Sequence, residues 1–451
     1  MANTYLTRTP SSTGNDKIAT FSAWIKRAST LGSQNNLFTS FPASERTQLF
    51  LTNNDTLQLQ AYSGNSATMN VETSRKFRDT NAWYHIVVAM DSTQATASNR
   101  VKIYINGVQE TAFDQSSYIG QNTTLSFNTS SRPFYVGTYD TSQLFFDGCM
   151  SHVHWVDGTA YTASTFGSTD STTGEWKINA VPSVTYGTNG FFILKDGNSV
   201  TDQSGNSNNL TVGGGTLTKT EDNPSNNFAT WSAILAMNST MVLTNGATTG
   251  KTATNYAAGA SNTWWSSLGM SSGKYYCEIK MSAATANQGE VLGVGYDLSK
   301  HQQGSTVNAY HLGYISEGWA YFGAEGKVKS NNSDVVTGLP TWTTNDIIGI
   351  AIDMDNNKLY FSKNGTFVNS GDPTSGSTGT GAISLTANKT YFFGCSDASM
   401  SNTNTFQANF GNGYFGTTAV SSAGTNASNL GIFEYDVPSG YTALCTKGLN
   451  E

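Results

Sequence analysis

His152 and His154 alternate, so an extended chain would point both imidazoles to one face and offer two of the ligands a transition metal takes. No third ligand can be named beside them, and no metal is expected there. Asp353-Met-Asp355-Asn-Asn357 has the oxygen-rich spacing of a calcium loop. Such a loop needs Gly at its sixth position and a later Glu. The sixth residue is Lys358, and Asp and Asn favour turns, so a plain hairpin turn is expected. Gly246-Ala-Thr-Thr-Gly-Lys-Thr252 has three residues between its glycines where a phosphate loop has four, and no helical pattern follows. Neither a G-x-S-x-G elbow nor a Cys/His nucleophile setting stands out. No cofactor is expected. What remains is aromatic. Sugar rings carry apolar C–H faces that pack on aromatic rings, and neighbouring polar side chains satisfy the hydroxyls. Trp264 and Trp265 are one candidate pair. The stretch from Tyr296 to Tyr310, with Asp297, His301, Gln302 and Gln303, is the other. Adjacent strand residues face opposite sides, so one of the two tryptophans is expected at the surface unless a neighbour covers it.

Composition narrows the setting for these residues. Charged residues make up 12% of the chain, about half the usual share, while hydrophobics reach 37% and aromatics 12%. There is enough apolar surface for packed cores, and 451 residues exceed what one core normally serves, so two domains are expected. Polarity comes from Ser, Thr, Asn and 45 Gly, which suit many strands joined by many turns. A net charge of −7 argues against nucleic acid and anionic membranes as partners. Cys149, Cys277, Cys395 and Cys445 lie far apart with no CxxC pair, so zinc and a disulfide framework lack support and buried thiols are expected. Residues 1–12 are polar and read as no secretory signal. The longest apolar runs, such as Ile347 to Ile352, are too short for a bilayer.

Period-2 patterning runs through the whole chain. Phe21-Ser-Ala-Trp-Ile-Lys26, Leu57-Gln-Leu-Gln-Ala-Tyr62 and Val101-Lys-Ile-Tyr-Ile105 alternate, whereas His85 to Met90 reads as a strand buried on both faces. Asn106-Gly107 and Asn364-Gly365 mark two-residue hairpins. In Gly273 to Met281, Tyr275, Cys277, Ile279 and Met281 share one face, and Tyr276, Glu278 and Lys280 the other. Only Tyr161 to Phe166 suggests a short helix. A polar, Gly-rich connector spans Thr201 to Asn227 and closes a first domain over 1–227; a second covers 228–451. The pattern predicts an all-β chain of two β-sandwich domains in tandem, with less than about a tenth of residues helical.

Several of these segments are familiar. Leu6 to Gly14, Phe21 to Arg27, Trp83 to Val88, Val101 to Gly107 and Phe146 to Trp155 resemble the laminin-G-like, concanavalin-A-type jelly roll of many bacteriophage proteins. Tyr186 to Phe192 and Asp202 to Asn209 continue a segment common in the phage versions. Ser272 to Tyr276, Gly318 to Tyr321, Asp346 to Asp353, Leu359 to Gly365, Asn409 to Gly411 and Pro438 to Tyr441 resemble a SPRY domain, here with a C-terminal extension. Jelly rolls of this type include glucanases, which need two carboxylates flanking the scissile bond. The acidic E-x-D-x-x-E cluster of such enzymes is absent, and Glu434-Tyr-Asp436 is the nearest match. The resemblance therefore implies binding without catalysis. It implies a virion protein, made in the host bacterial cytoplasm: a fibre, adhesin or head decoration, with other virion proteins and a host cell-surface glycan or protein as partners. A homotrimer is expected. The alternatives are a purely structural virion subunit and a glycan-active hydrolase. In SPRY-like domains binding comes from loops at one end of the sandwich, which places the expected ligand-binding residues at Trp264, Trp265, Tyr296, Asp297, His301 and Tyr310.

Overall fold

The computed structural model describes residues 3–450 apart from 29–30, 42–43, 196, 198, 236–240, 253–262, 285–288, 302–310 and 399–402. It is 42% strand and 4% helix, so the all-β expectation is met. The longest α-helix among the described residues is the single turn Leu298–His301. The helix suggested at Tyr161 to Phe166 is a 3-10 turn over Ala163–Thr165. The chain divides into two compact units, with the division at residues 220–226.

The first unit packs two antiparallel sheets face to face. One runs, in spatial order, Phe113–Ser117, Ser66–Thr73, Leu57–Ser63, Arg46–Leu51, Asn35–Ser40, Phe134–Val136, Tyr5–Arg8, Thr211–Gly213. The other runs Phe191–Ile193, Gly148–Asp157, Ile18–Arg27, Tyr84–Asp91, Val101–Ile105, Val108–Gln109. Alternation builds the core between them: Phe21, Ala23 and Ile25 from one sheet meet Leu49, Leu57, Leu59 and Val71 from the other. The run from His85 to Met90 is buried on both faces. Ile86, Val88 and Met90 enter the main core. Val87 lies in a second cluster with Phe166, Tyr186 and Phe192.

That second cluster disposes of the two-histidine reading. The register slips between Ser151 and His154, and His152 sits in the bulge with φ +48°. His154 is buried, stacks on Phe192 at 3.9 Å and shares a hydrogen bond with Tyr186 Oη at 2.8 Å. Burial pushes its pKa well below the usual imidazole range. Among the described residues, no three His, Cys, Asp or Glu side chains converge as metal ligands would.

The second unit is also two sheets. One orders Val242–Thr244, Thr249–Lys251, Asn404–Asn409, Lys274–Ala284, Ile347–Asp353, Lys358–Lys363, Thr366–Phe367. The other orders Thr263–Trp265, Phe392–Asp397, Glu290–Gly295, Gly318–Phe322, Lys327–Ser330, Ser333–Val336. The former phosphate-loop candidate is therefore strand at Thr249–Lys251. Asp353 closes its hairpin as expected of a turn: its carboxylate accepts from Asn356 N at 2.9 Å and Asn356 Nδ2 at 2.8 Å, and pairs with Lys274 at 3.0 Å.

Candidate functional site

In the first unit the apolar halves of Arg46–Leu51, Leu57–Ser63 and Ser66–Thr73 face the core, so their polar halves share the opposite face. The register sets them in rows: Gln48 opposite Gln60, Gln60 opposite Asn70, and Gln58 opposite Glu72. Gln48 Nε2 donates to Gln60 Oε1 at 2.9 Å. Gln58 Nε2 donates to Asn70 Oδ1 at 2.6 Å and Glu72 Oε2 at 3.1 Å. Thr56 Oγ1 donates to the other Glu72 oxygen. These bonds fix each amide's orientation, which preorganises the surface.

The rows floor a groove of about 580 Å³. Its walls include Phe50, Tyr62, Tyr139, Gln143 and Leu144. The Arg46 guanidinium lies over Tyr62, 3.6 Å from the ring centroid, and 5.8 Å from that of Tyr139. Amides carry both donors and acceptors, as hydroxyl-rich ligands require, and aromatic rings supply apolar contact. Glu72 is the only carboxylate among the lining residues. Glycoside hydrolysis by paired acids needs two.

The aromatic candidates of the second unit fall differently. Trp264 and Trp265 do face opposite sides of their strand, but neither reaches solvent, with exposures of 2% and 0%. Trp264 enters the space between the sheets, where its indole donates to Lys251 O at 3.4 Å. Trp265 lies on the outer face, yet Leu312, Phe322 and Leu298 cover it and His301 packs edge-on at 4.9 Å. The expectation of a surface tryptophan is thus corrected. His301 is itself buried, and desolvation pulls its pKa down to about 4 against the pull of the Glu317 carbonyl. It is a packing residue, not an accessible ligand group. Tyr296 is half-buried against Trp319 and Tyr391, with the Lys389 ammonium 5.3 Å from its ring centroid. Asp297 is exposed and accepts from Ser299 Oγ at 2.7 Å. Only these two form a surface; Tyr310, Gln302 and Gln303 lie outside the described residues.

Residues 2–160 match the concanavalin A-like lectin/glucanases superfamily, and residues 274–382 match the SPRY domain. The chain contains a concanavalin A-like domain and a SPRY domain. The lectin-like and SPRY-type domains point to non-covalent ligand or protein binding. No curated protein matches the chain. Similar solved structures include the SPRY domain of human HERC1, 17% identical, covering 37% of this chain and 91% of that one with a TM-score of 0.27. A native heptameric SAP-like pentraxin from Limulus polyphemus is 13% identical over 48% of this chain and 91% of its own, with a TM-score of 0.29. The TRIM65 PSpry domain is 15% identical over 40% and 91%, also with a TM-score of 0.29.

The groove of the concanavalin A-like domain was missed in the sequence. One signal for it was present: Gln58, Gln60 and Tyr62 are the polar half of an alternation used only for its apolar half. A strand whose outward residues are amides and an aromatic, with no Lys and no Glu, is an unusual solvent face.

Proposed function

We propose that the protein is a bacteriophage virion surface protein that attaches the particle to a glycan of the host surface through the concanavalin A-like groove. The observation carrying this reading is the amide row beside the Arg46–Tyr62 wall, a surface ordered before any ligand arrives. A virion protein folds in the bacterial cytoplasm and works outside the cell. That history fits a neutral polar surface together with four cysteines of which none is in a disulfide and three are buried. No helix among the described residues is long and apolar enough to cross a membrane. The protein acts without catalysis and assembles as a homotrimer with other virion proteins.

On an array of bacterial surface polysaccharides, the purified chain is expected to bind, and Gln60→Ala with Tyr62→Ala is expected to lower affinity at least tenfold. Each good polar or stacking contact contributes about 1–1.5 kcal/mol, and a tenfold change is 1.4 kcal/mol. Undiminished binding by the folded double variant would remove the groove from consideration. Incubation with the bound polysaccharide is expected to release no new reducing ends. Turnover abolished by Glu72→Gln would make the protein a hydrolase instead.

A further inference from the structure

The SPRY domain holds a second place with unmet chemistry. Strand Glu290–Gly295 runs antiparallel to Phe392–Asp397, and Glu290 stands directly opposite Asp397. Side chains at opposed positions share a face, with Cβ atoms about 4.5–5.5 Å apart. Alternation puts both carboxylates on the side of Leu292 and Cys395, which is the side of Trp264 and therefore the space between the sheets. Asp397 confirms this by reaching the other sheet: its Oδ2 accepts from Asn404 Nδ2 at 3.1 Å and from Thr252 Oγ1 at 3.3 Å.

All three of these acidic and amide side chains are buried, Glu290 at 1% exposure and Asp397 and Asn404 at 0%. Among the described residues, neither carboxylate oxygen of Glu290 has a hydrogen-bond partner, and neither does Asn404 Oδ1. An unpartnered buried carboxylate is costly, and a second carboxylate on the same face adds like-charge repulsion. In the sequence next to Thr252, Glu290 and Asp397, residues 253–262, 285–288 and 399–402 include no Lys, Arg or His. Glu290 makes no ion pair among the described residues. Glu290 and Asp397 bring carboxylates from one sheet, and Asn404 brings its amide to Asp397 from the other.

We propose that Glu290, Asp397 and Asn404 Oδ1 are the protein ligands of a divalent cation of the calcium class at this end of the SPRY sandwich. The donor set is all oxygen, which selects a hard cation, and two carboxylates match its charge. A Glu offering both oxygens suits calcium, which tolerates bidentate carboxylates and irregular geometry, better than magnesium. The cation ties the two sheets together where Asn404 and Asp397 already meet. This departs from the expectation that the chain takes no cofactor. The two acids are 107 positions apart in the sequence, and only the strand register joins them.

The full chain, stripped with EDTA, is melted alone, with millimolar calcium and with millimolar magnesium. Calcium is expected to raise Tm by several degrees and magnesium by less, since a ligand bound only by the folded state stabilises it. Glu290→Gln is expected to abolish the rise. Asn404→Asp adds a third carboxylate, and is expected to lower Tm without calcium and to cut the half-saturating calcium concentration about tenfold. Terbium luminescence excited through tryptophan is expected in the wild-type chain and not in Glu290→Gln. No calcium-dependent rise, or an equal rise in Glu290→Gln, would overturn the proposal and leave two acids sharing a proton. If Glu290→Gln does not fold, an Asn404→Asp variant with unchanged calcium response overturns it as well.

Discussion

Trp265→Ala is expected to lower the stability of the chain by about 3–5 kcal/mol while leaving the proposed glycan binding by the folded fraction unchanged. The indole is wholly buried on the outer face of its sheet, among Val291, Leu312, Ala320 and Phe322. Its absence leaves a cavity bounded by strand residues on one side and by Leu312 and His301 on the other. Gly295 and Gly394 line the same space, since a Cβ on either would lie within 3 Å of the ring. Small residues there have no side chains with which to fill the gap, which argues for the upper part of the range. The indole N–H has no acceptor among the described residues, so Trp265→Phe keeps most of the packing without orphaning a partner and is expected to cost clearly less. Urea unfolding of the three proteins, beside their glycan binding, separates packing from recognition. A stable Trp265→Ala chain that no longer binds would restore the tryptophan to the ligand site.

That contrast shows where the sequence was legible. Local rules carried far. Asn106 and Gly107 both take positive φ, at 47° and 83°, and Tyr104 pairs with Gln109 across them. Asn364 and Gly365 repeat this at 48° and 82°. Strand alternation also separated Trp264 from Trp265 correctly. What alternation cannot reveal is whether the second face of a sheet is bare. Three outer faces here had different fates. Beside Trp265 the cover includes Leu298 and Leu312, from segments flanking residues 302–310. Over Tyr276 it is Phe433, Val437 and Tyr441, some 160 residues along the chain. Gln48 and Gln58 are buried at 4% and 8% exposure, yet among the described residues they and Gln60 still line an open groove. Covering is a long-range event, decided by segments whose own sequences are irregular. So the fold could be read from periods of two, while the proposed binding face could not. The same limit applies to Glu290 and Asp397.

Glu278 sits under one of those covers, and Glu278→Ala is expected to be the most damaging single change in the SPRY domain outside the aromatic core. The side chain is wholly buried on Lys274–Ala284. Its Oε1 accepts from Tyr435 N at 2.8 Å and Tyr276 Oη at 3.2 Å. Its Oε2 accepts from Glu434 N at 2.8 Å and Asn409 Nδ2 at 3.2 Å. Removing the carboxylate takes the acceptor from two backbone N–H groups and the Tyr276 hydroxyl, while Asn409 Nδ2 keeps Ile432 O at 3.0 Å, at a cost of about 3–5 kcal/mol. It also unpins the segment around Glu434 that covers Tyr276. Burial outweighs these four donors and lifts the carboxyl pKa from 4.5 to about 7. A raised folded-state value means the neutral form is favoured on folding. The associated stability is complete below about pH 4.5 and is lost as pH rises through 7. Between those limits this one group should reduce the unfolding free energy by about 1.4 kcal/mol per pH unit, roughly 3 kcal/mol in all. Glu278→Gln cannot titrate, so its stability should lack that slope even if one of its N–H groups faces a donor and lowers the whole curve. Urea midpoints for wild type and Glu278→Gln from pH 4 to pH 8 test this directly. Parallel curves would mean that folding leaves the Glu278 pKa where it is in the unfolded chain, the four donors offsetting burial.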